Sequence, residues 1–328
     1  MDFIKKKLVK KYAKDIDIFR REQRRLGTAN PDKIIYYIEE DNKNLGFFAM
    51  YRGWLGYLYF ADICGYTPVI YAGDNFAYKE SKMINGTANP FEYYFIQPAL
   101  ISPQEARVSN KVIMSDLIHR KMVSLILTGR ESDYKYSKRY LHMMGHIVKK
   151  YMHFNDVTQT YLNESLMRLS FFENSRMLGI HLRGTDFRLQ YNNHPVYVSE
   201  ADCFVEVDRM MNSGSYNRIF LATDDVKILS NFKKKYGQCL CYYEDVQRSN
   251  NNKSVAFSNG NRDKHKYLLG LEVIRDMYTL SKCTGLVAGI SQVAICAQIN
   301  KLSRGEKYED LRIIDKGIYK NSHLFVSR

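Results

Sequence analysis

The stretch GIHLRGTDFR, residues 179–188, places imidazole and charged side chains directly after an apolar run. The run, residues 177–182, is typical of a buried strand, so His181, Arg183 and Asp186 are expected at its carboxyl end. An arginine there presents a planar fork of donors that can hold a phosphate with two hydrogen bonds. The same arginine also suits a salt bridge to Asp186 or another carboxylate. A histidine at a strand end is as often a structural residue as a ligand.

Polar side chains also follow two later strand-like runs. Asp224 and Asp225 come after residues 218–222, where either carboxylate can cap the next helix; we expect this of Asp225. Neighbours on a strand point to opposite faces, so the two cannot chelate one metal ion without a turn between them. Ser291 and Gln292 follow residues 285–288, where Ser291 is either a helix N-cap or part of an anion site at the helix N-terminus.

The second half of the chain alternates strand-like and helical runs, which predicts an α/β fold with a doubly wound parallel sheet. Ligands in such sheets bind beyond the carboxyl ends of the strands, so the three polar clusters are expected to form one site. The predicted strands are residues 177–182, 218–223, 239–243, 285–288 and 311–315, and the predicted helices are 199–211, 225–236, 263–282 and 291–301.

The first half predicts a βαβ unit, with strands at 34–38 and 66–71 and a helix at 47–64. Residues 132–170 have helical periodicity, interrupted only by Gly145, and residues 90–130 are ambiguous. The aromatic piece NPFEYYFIQP, residues 89–98, suits either core packing or stacking on sugar rings, and we expect core packing.

Net charge is +14, and the first 25 residues hold ten of the 49 lysines and arginines. On a helix these basic residues flank an apolar face, which suits either an anionic membrane surface or docking on the protein itself. No apolar run is long enough to span a membrane and no signal-peptide pattern is present, so we expect a cytoplasmic protein that can bind the inner face of the membrane. The six cysteines suit free buried thiols.

Several nucleotide-binding and hydrolase motifs are absent. There is no Gly-rich dinucleotide fingerprint after a predicted strand, no P-loop and no nucleophile elbow. The only D-x-D is Asp15–Asp17, in the basic N-terminal segment. A diphosphate would therefore be neutralised by arginine, backbone amides and a helix N-terminus instead of a metal.

Three ordered motifs resemble the α1,6-fucosyltransferase superfamily, which includes the Nod-factor fucosyltransferases and is related to the α1,2- and protein O-fucosyltransferases. Residues 181–186, HLRGTD, are similar to its H-x-R-R-T-D motif, and residues 222–225, ATDD, are similar to its second motif. Asp276, then Leu280-Ser281 and Ser291-Gln292, resemble its third motif. The likeness covers roughly residues 175–300 and is fainter at residues 44–71.

The resemblance implies a GT-B fold, with two Rossmann-like domains facing across a cleft, and an inverting, metal-independent transfer of L-fucose from GDP-fucose. It implies that Arg183 holds the diphosphate and assists its departure. His181 and Asp276 would contact the guanosine, and Ser291 and Gln292 the phosphates or the sugar. Asp224 would hold the sugar or the geometry of the motif.

This sequence departs from the family pattern in two places. Gly184 stands where the second motif arginine is expected, which removes one cation from the diphosphate site. The carboxylate expected a few residues later as general base is missing, because the segment reads FRLQY. Asp186 and Asp74 are the candidate bases, and burial would have to raise the pKa of either for it to work near neutral pH.

We therefore expect a hexosyltransferase that builds surface polysaccharide on a glycan or lipid-linked acceptor and needs no cofactor or metal. The expected domains are a basic helix at 1–30, an acceptor domain at 31–170, a donor domain at 171–315 and a tail at 316–328. Two alternatives stay open: a degenerate nucleotide-sugar or glycan-binding protein, and, less favoured, a basic nucleic-acid-binding α/β protein.

Overall fold

The computed structural model describes residues 22–40, 42–117, 119, 134, 136–169 and 175–320. The chain divides into two compact units. The first comprises the residues up to Leu45 together with Ala49–Asn155, and the second comprises Gly46–Phe48 together with Asp156–Arg328. The boundary lies before the expected position near residue 170, because helix Asp156–Arg168 packs on helix His265–Lys282 of the second unit. The basic helix expected at 1–30 lies outside the described residues up to residue 21. Its described part, residues 22–30, forms no helix, because Arg24 and Val112 exchange backbone hydrogen bonds of 2.8 and 2.9 Å and Ala29 donates to Val108 at 3.0 Å.

The first unit is built on a three-stranded parallel sheet. Its strands are β1 (Ile35–Glu39), β2 (Thr67–Tyr71) and β3 (Val112–Met114), in the order β2-β1-β3. Helix α1 (Phe47–Cys64) joins β1 to β2, which confirms the predicted βαβ unit and the bounds of its helix. A short helix, α2 (Pro103–Ala106), precedes β3. The strand β3 was not predicted, because three residues are too few to show a period.

The aromatic piece at residues 89–98 is core. Phe91, Tyr93 and Tyr94 are fully buried, and Phe91 packs edge-on against the buried Trp54 of α1. The prediction of core packing is confirmed, and these rings are not available to stack on a sugar.

The prediction of a single helical run at 132–170 is wrong between residues 151 and 156, where the helix is interrupted. Two helices form instead, α3 (Lys138–Tyr151) and α4 (Asp156–Arg168). Between them the backbone pairs with an earlier segment, since Ile96 donates its N–H to the carbonyl of His153 at 2.9 Å and Asn155 donates to Tyr94 at 3.0 Å. These long-range hydrogen bonds replace the intrahelical ones, which no local periodicity reveals.

The second unit holds a five-stranded, fully parallel sheet in the order β6-β5-β4-β7-β8. The strands are β4 (Met177–His181), β5 (Arg218–Ala222), β6 (Leu240–Cys241), β7 (Gly285–Gly289) and β8 (Asp310–Ile314). The helices are α5 (Glu200–Asn212), α6 (Val226–Tyr236), α7 (His265–Lys282) and α8 (Gln292–Ser303). Together the two sheets confirm the predicted α/β fold class.

The helix starts of this unit follow from their capping residues. Ser199 and Asp202 form a capping box at α5, Asp225 caps α6 and Ser291 caps α8. Every residue of the central strand β4 is buried. Gly179 in β4 lets α7 approach, because an added Cβ would lie 3.0 Å from the sulfur of Cys283.

All six cysteines are free. Four are buried, but Cys64 is half-buried and Cys239 is exposed, so the expectation of buried thiols is wrong for these two. Cys239 lies in a 3₁₀ turn before β6 and not within a strand. Within the described parts of the chain, no helix is long and apolar enough to cross a membrane.

Candidate functional site

The site lies where the strand order of the second sheet reverses. The chain runs outward from β4 through β5 to β6, then returns to the other side of β4 at β7. In parallel sheets this switch point opens a crevice beyond the carboxyl ends of the two central strands. A small pocket lies there. It is lined by His181, Leu182, Arg183, Phe187, Val196, Val198, Gly289, Ile290 and Ser291.

Arg183 is the cation of this pocket and is held by two carboxylates. Its Nη2 donates to Asp186 Oδ1 at 2.7 Å, and its Nη1 lies 3.0 Å from Asp224 Oδ2. Nη2 also donates to Ser254 Oγ at 3.1 Å. The side chain keeps a quarter of its surface exposed. The salt bridge considered from the sequence is therefore present, and it orients the guanidinium at the pocket without covering it.

Asp224 fixes the turn that carries Arg183. Its Oδ1 accepts the backbone N–H of Gly184 at 2.9 Å, and its Oδ2 accepts the hydroxyl of Thr185 at 2.7 Å. Thr185 has a left-handed backbone, with φ of 42°. These contacts hold a residue in a conformation that a β-branched side chain rarely adopts. Asp224 therefore holds the geometry of the motif, one of its two expected roles.

Gly184 is packed against Asp225. A Cβ added at Gly184 would lie 2.5 Å from the Cβ of Asp225 and 2.6 Å from its Oδ2. Arg188, one turn later on the 3₁₀ helix Thr185–Leu189, forms an ion pair with that same Oδ2. Asp225 also accepts the N–H of Ile228 at 3.0 Å, as the predicted N-cap of α6. An arginine at position 184 has no room here, and Arg188 supplies the cation next to Asp225 instead.

His181 is a neutral imidazole. Burial, and secondarily the charge of Arg183, lowers the pKa of His181 to about 3. Its Nδ1 lies 3.1 Å from the hydroxyl of Ser291, which also accepts the N–H of Ala294 at 3.1 Å. The Ser291 hydroxyl has one proton and a second lone pair, so it can donate to Nδ1 or accept from it, depending on the tautomer of His181. His181 thus contributes a neutral hydrogen-bonding ring, not a charge.

Asp276 lies on α7 among different side chains. Its charged neighbours are Arg275, Arg248, Glu272 and Asp245. Burial raises the pKa of Asp276 to about 7, against the opposing effect of the two arginines. The carboxyl thus titrates near neutral pH. Gln292, the remaining predicted donor contact, is the half-buried first residue of α8.

Asp74 belongs to the first unit and is an exposed residue. Tyr71 donates its hydroxyl to Asp74 Oδ1 at 2.9 Å, and Lys79 lies 3.3 Å away. These two partners lower the pKa of Asp74. The expectation that burial raises its pKa is therefore wrong, since 76% of the side chain is exposed.

Sequence reasoning missed part of the site. Ser254 contacts Arg183 from 71 residues away, on a loop without periodicity. Val196 and Val198 line the pocket from a segment that pairs with the end of the described chain. In that pairing, Val196 donates to Gly317 and Asn193 donates to Tyr319, both at 2.9 Å. Only tertiary contacts reveal these residues.

The polar clusters of the site lie in a region that matches a protein-family model. A sequence model described as the α-(1,6)-fucosyltransferase N- and catalytic domains matches residues 134–309, just over half of the chain. The chain belongs to this fucosyltransferase family. The matched region includes every residue that lines the pocket, together with Asp224 and Asp276, whereas Asp74 lies outside it.

Solved fucosyltransferases are similar to this family member at low identity. A NodZ α-1,6-fucosyltransferase soaked with GDP-fucose is 13% identical, with a TM-score of 0.49 over 81% of this chain and 92% of the other. NodZ from Bradyrhizobium is 12% identical, with a TM-score of 0.47 over 83% and 92%. POFUT1 in complex with GDP is 11% identical, with a TM-score of 0.49 over 87% and 99%. No curated protein matches the sequence.

Proposed function

We propose that this family member is an inverting glycosyltransferase that transfers L-fucose from GDP-fucose to a glycan or lipid-linked oligosaccharide. The observation that carries the proposal is Arg183, held by Asp186 and Asp224 at 2.7 and 3.0 Å at the mouth of the switch-point pocket. Two fixed carboxylates restrict the rotamers of the guanidinium, so little entropy is lost when it binds an anion.

The pocket suits a departing diphosphate. Negative charge grows on the phosphate as the bond to the sugar breaks, and a preorganised cation and N–H groups stabilise that charge. Arg183 supplies the cation, and the first turn of α8 supplies N–H donors. With Gly184 in place of an arginine, Arg183 carries the charge stabilisation that two side chains would otherwise share.

Asp276 suits recognition of the guanine base. Guanine presents an N–H and an amino group side by side, and an ionised carboxylate accepts from both. Free Asp276 is about half protonated at pH 7, because burial raises its pKa to about 7. Guanine binding would then favour the ionised form.

A kinetic comparison of Asp186→Asn with Asp74→Asn would distinguish the two candidate general bases. Loss of a base lowers kcat and leaves the affinity for GDP unchanged. Asp186→Asn also loosens Arg183, so it is expected to weaken GDP binding as well. Asp74→Asn changes an exposed side chain, so any loss of kcat there points to chemistry.

The decisive experiment is calorimetry with GDP, GDP-fucose and UDP on the purified protein. We expect binding of the two guanine nucleotides and weaker binding of UDP. Arg183→Ala should abolish turnover, and Arg209→Ala, an exposed arginine on α5 paired with Glu206, should not change it. Turnover should survive EDTA. Absence of GDP and GDP-fucose binding below millimolar concentrations rejects the assignment.

A protein that binds nucleotide-sugars without transfer is the second candidate. Two carboxylates already neutralise Arg183, and Gly184 stands next to it in place of the second motif arginine, which favours binding over turnover. Tight GDP binding with neither transfer nor hydrolysis of GDP-fucose would support it.

We also propose that the protein acts at the inner face of the membrane, which it would bind through residues 1–25. Deleting them should abolish sedimentation with phosphatidylglycerol vesicles and leave GDP binding intact.

A further inference from the structure

A loop of the second unit lies beside the arginine of the candidate site. This bridging loop, residues 247–262, joins the segment after β6 to the start of α7. Its Ser254 accepts a hydrogen bond from Nη2 of Arg183 at 3.1 Å. Ser254 belongs to none of the three sequence motifs, so they assign it no role.

The contact with Arg183 leaves the Ser254 hydroxyl with an unused donor. A guanidinium can only donate, so the serine oxygen accepts and its own proton points elsewhere. The hydroxyl makes no other hydrogen bond to the part of the chain that the structure describes. The side chain is half-buried, next to a guanidinium that keeps a quarter of its surface exposed. Its proton is therefore available to an anion that binds Arg183.

Glu272 on α7 holds both ends of the bridging loop. Its Oε2 accepts the backbone N–H of Gln247 at 2.9 Å, and its Oε1 forms an ion pair with Arg262. The residue is only 6% exposed, so solvent ions screen these contacts weakly. A carboxylate that binds a loop at both ends restricts the conformations open to Ser254 between them.

Two contacts nearer to Ser254 fix the middle of the bridging loop. Before it, Ser249 donates its backbone N–H to the carbonyl of Asp224 at 2.8 Å. After it, the carbonyl of Ser258 lies 3.1 Å from Nε2 of His265. Ser254 is thus held between the end of β5 and the start of α7. Its hydroxyl is placed before a ligand arrives, which lowers the entropy lost on binding.

The chemistry beside Ser254 suits a phosphate. A guanidinium nitrogen and a hydroxyl side by side match phosphate oxygens, which accept several hydrogen bonds at once. Gly184 offers neither a charge nor a side-chain donor at the next position of the motif. The bridging loop brings a donor to the same guanidinium from 71 residues further along the chain.

We propose that Ser254 is a further donor-binding residue, whose hydroxyl donates to the diphosphate of the nucleotide-sugar, and that Glu272 is its positioning residue. The inference rests on the proposed function, because it adds a contact to the same diphosphate. Ser254 replaces part of what the second motif arginine would supply, a hydrogen bond without the charge. Glu272 touches no substrate and acts through the bridging loop.

Titration with GDP and with guanosine, which lacks phosphate, tests the contact of Ser254. Calorimetry gives Kd for GDP, and NMR gives Kd for guanosine. Ser254→Ala should weaken GDP about tenfold, the loss typical of a hydrogen bond to a charged group, and should leave guanosine unchanged. Ser254→Thr keeps the hydroxyl and should restore most of the affinity. Ser303→Ala is the matched control, because Ser303 ends α8 and its hydroxyl donates to the carbonyl of Asn300.

A double-mutant cycle tests the positioning role of Glu272. Glu272→Gln keeps the shape of the side chain and removes the charge that holds Arg262. We expect it to weaken GDP about fivefold in the wild type and to add no loss in Ser254→Ala. The titrations are made at pH 8. Burial raises the pKa of Asp276 to about 7, with Glu272 among the charges that raise it, so this carboxyl is largely ionised at pH 8 in every variant.

The two measurements separate the possible failures. Equal losses of GDP and guanosine affinity in Ser254→Ala, or no loss of either, overturn the contact with the diphosphate. Additive losses in the cycle overturn the role of Glu272, because they show that it does not act through Ser254. Absence of GDP binding to the wild type overturns the proposed function instead.

Discussion

Replacing Gly184 by alanine is expected to destabilise the second unit and to weaken GDP binding at its candidate site. The added Cβ would lie 2.5 Å from the Cβ of Asp225, closer than side-chain carbons pack, so the loop or Asp225 must move. Overpacking of this kind costs about 1–3 kcal/mol. Displacing Asp225 also loses the N-cap of α6, worth about 1 kcal/mol. A loss of about 2–4 kcal/mol follows, or about 4–16 °C in Tm for a unit of this size.

Differential scanning calorimetry measures the loss, and GDP titration measures its effect on the site. Gly46→Ala is the matched control, since a Cβ there meets nothing within 4 Å. Arginine at position 184, the residue of the family motif, should be worse than alanine because its longer side chain enters the same space. A Gly184→Ala protein with wild-type Tm and wild-type GDP affinity would refute the packing explanation for the missing arginine.

Three further predictions follow from the site. GDP affinity should fall about tenfold from pH 8 to pH 6, because guanine needs ionised Asp276, whose pKa is about 7. The fall should be smaller in Asp276→Asn. Equal dependence of GDP affinity on pH in the two proteins would contradict the assignment. Removing residues 316–328 breaks the backbone pairing of Gly317 and Tyr319 with the pocket wall, so Kd for GDP should rise about fivefold. An unchanged Kd would show that this segment does not support the pocket. Ser291→Ala should lower Tm by about 2–4 °C through the lost cap of α8, while Ser213→Ala, a residue that follows α5 and accepts no first-turn N–H, should not.

The elements of the candidate site were predictable because they depend on local chemistry. Apolar runs located β4, β5 and β7, and parallel pairing brought their carboxyl ends together, so His181, Asp224 and Ser291 were expected at one edge. The capping roles of Asp225 and Ser291 follow from residue type and position alone. In each case the preference of one segment agrees with the tertiary fold.

The failures arise where distant residues decide the outcome. The break between α3 and α4 depends on backbone partners near Tyr94, about sixty residues earlier in the chain. The contact of Ser254 with Arg183 depends on where a long loop returns to the sheet. The pKa of Asp74 depends on Tyr71 and Lys79, which keep its carboxylate ionised in solvent. Residue spacing contains none of this information.

The two interpretations of Arg183, salt bridge and phosphate ligand, are compatible in this geometry. Asp186 and Asp224 bind the guanidinium from the turn and from the end of β5, which leaves the exposed quarter of the side chain to meet a ligand. Their charge also opposes a diphosphate, and Gly184 adds no cation to offset it. His181 is neutral, because burial lowers its pKa to about 3, so the remaining attraction must come from backbone N–H groups at the start of α8. The cap residue Ser291 contacts both His181 and this helix start, so under the proposed function it positions the groups that supply this attraction.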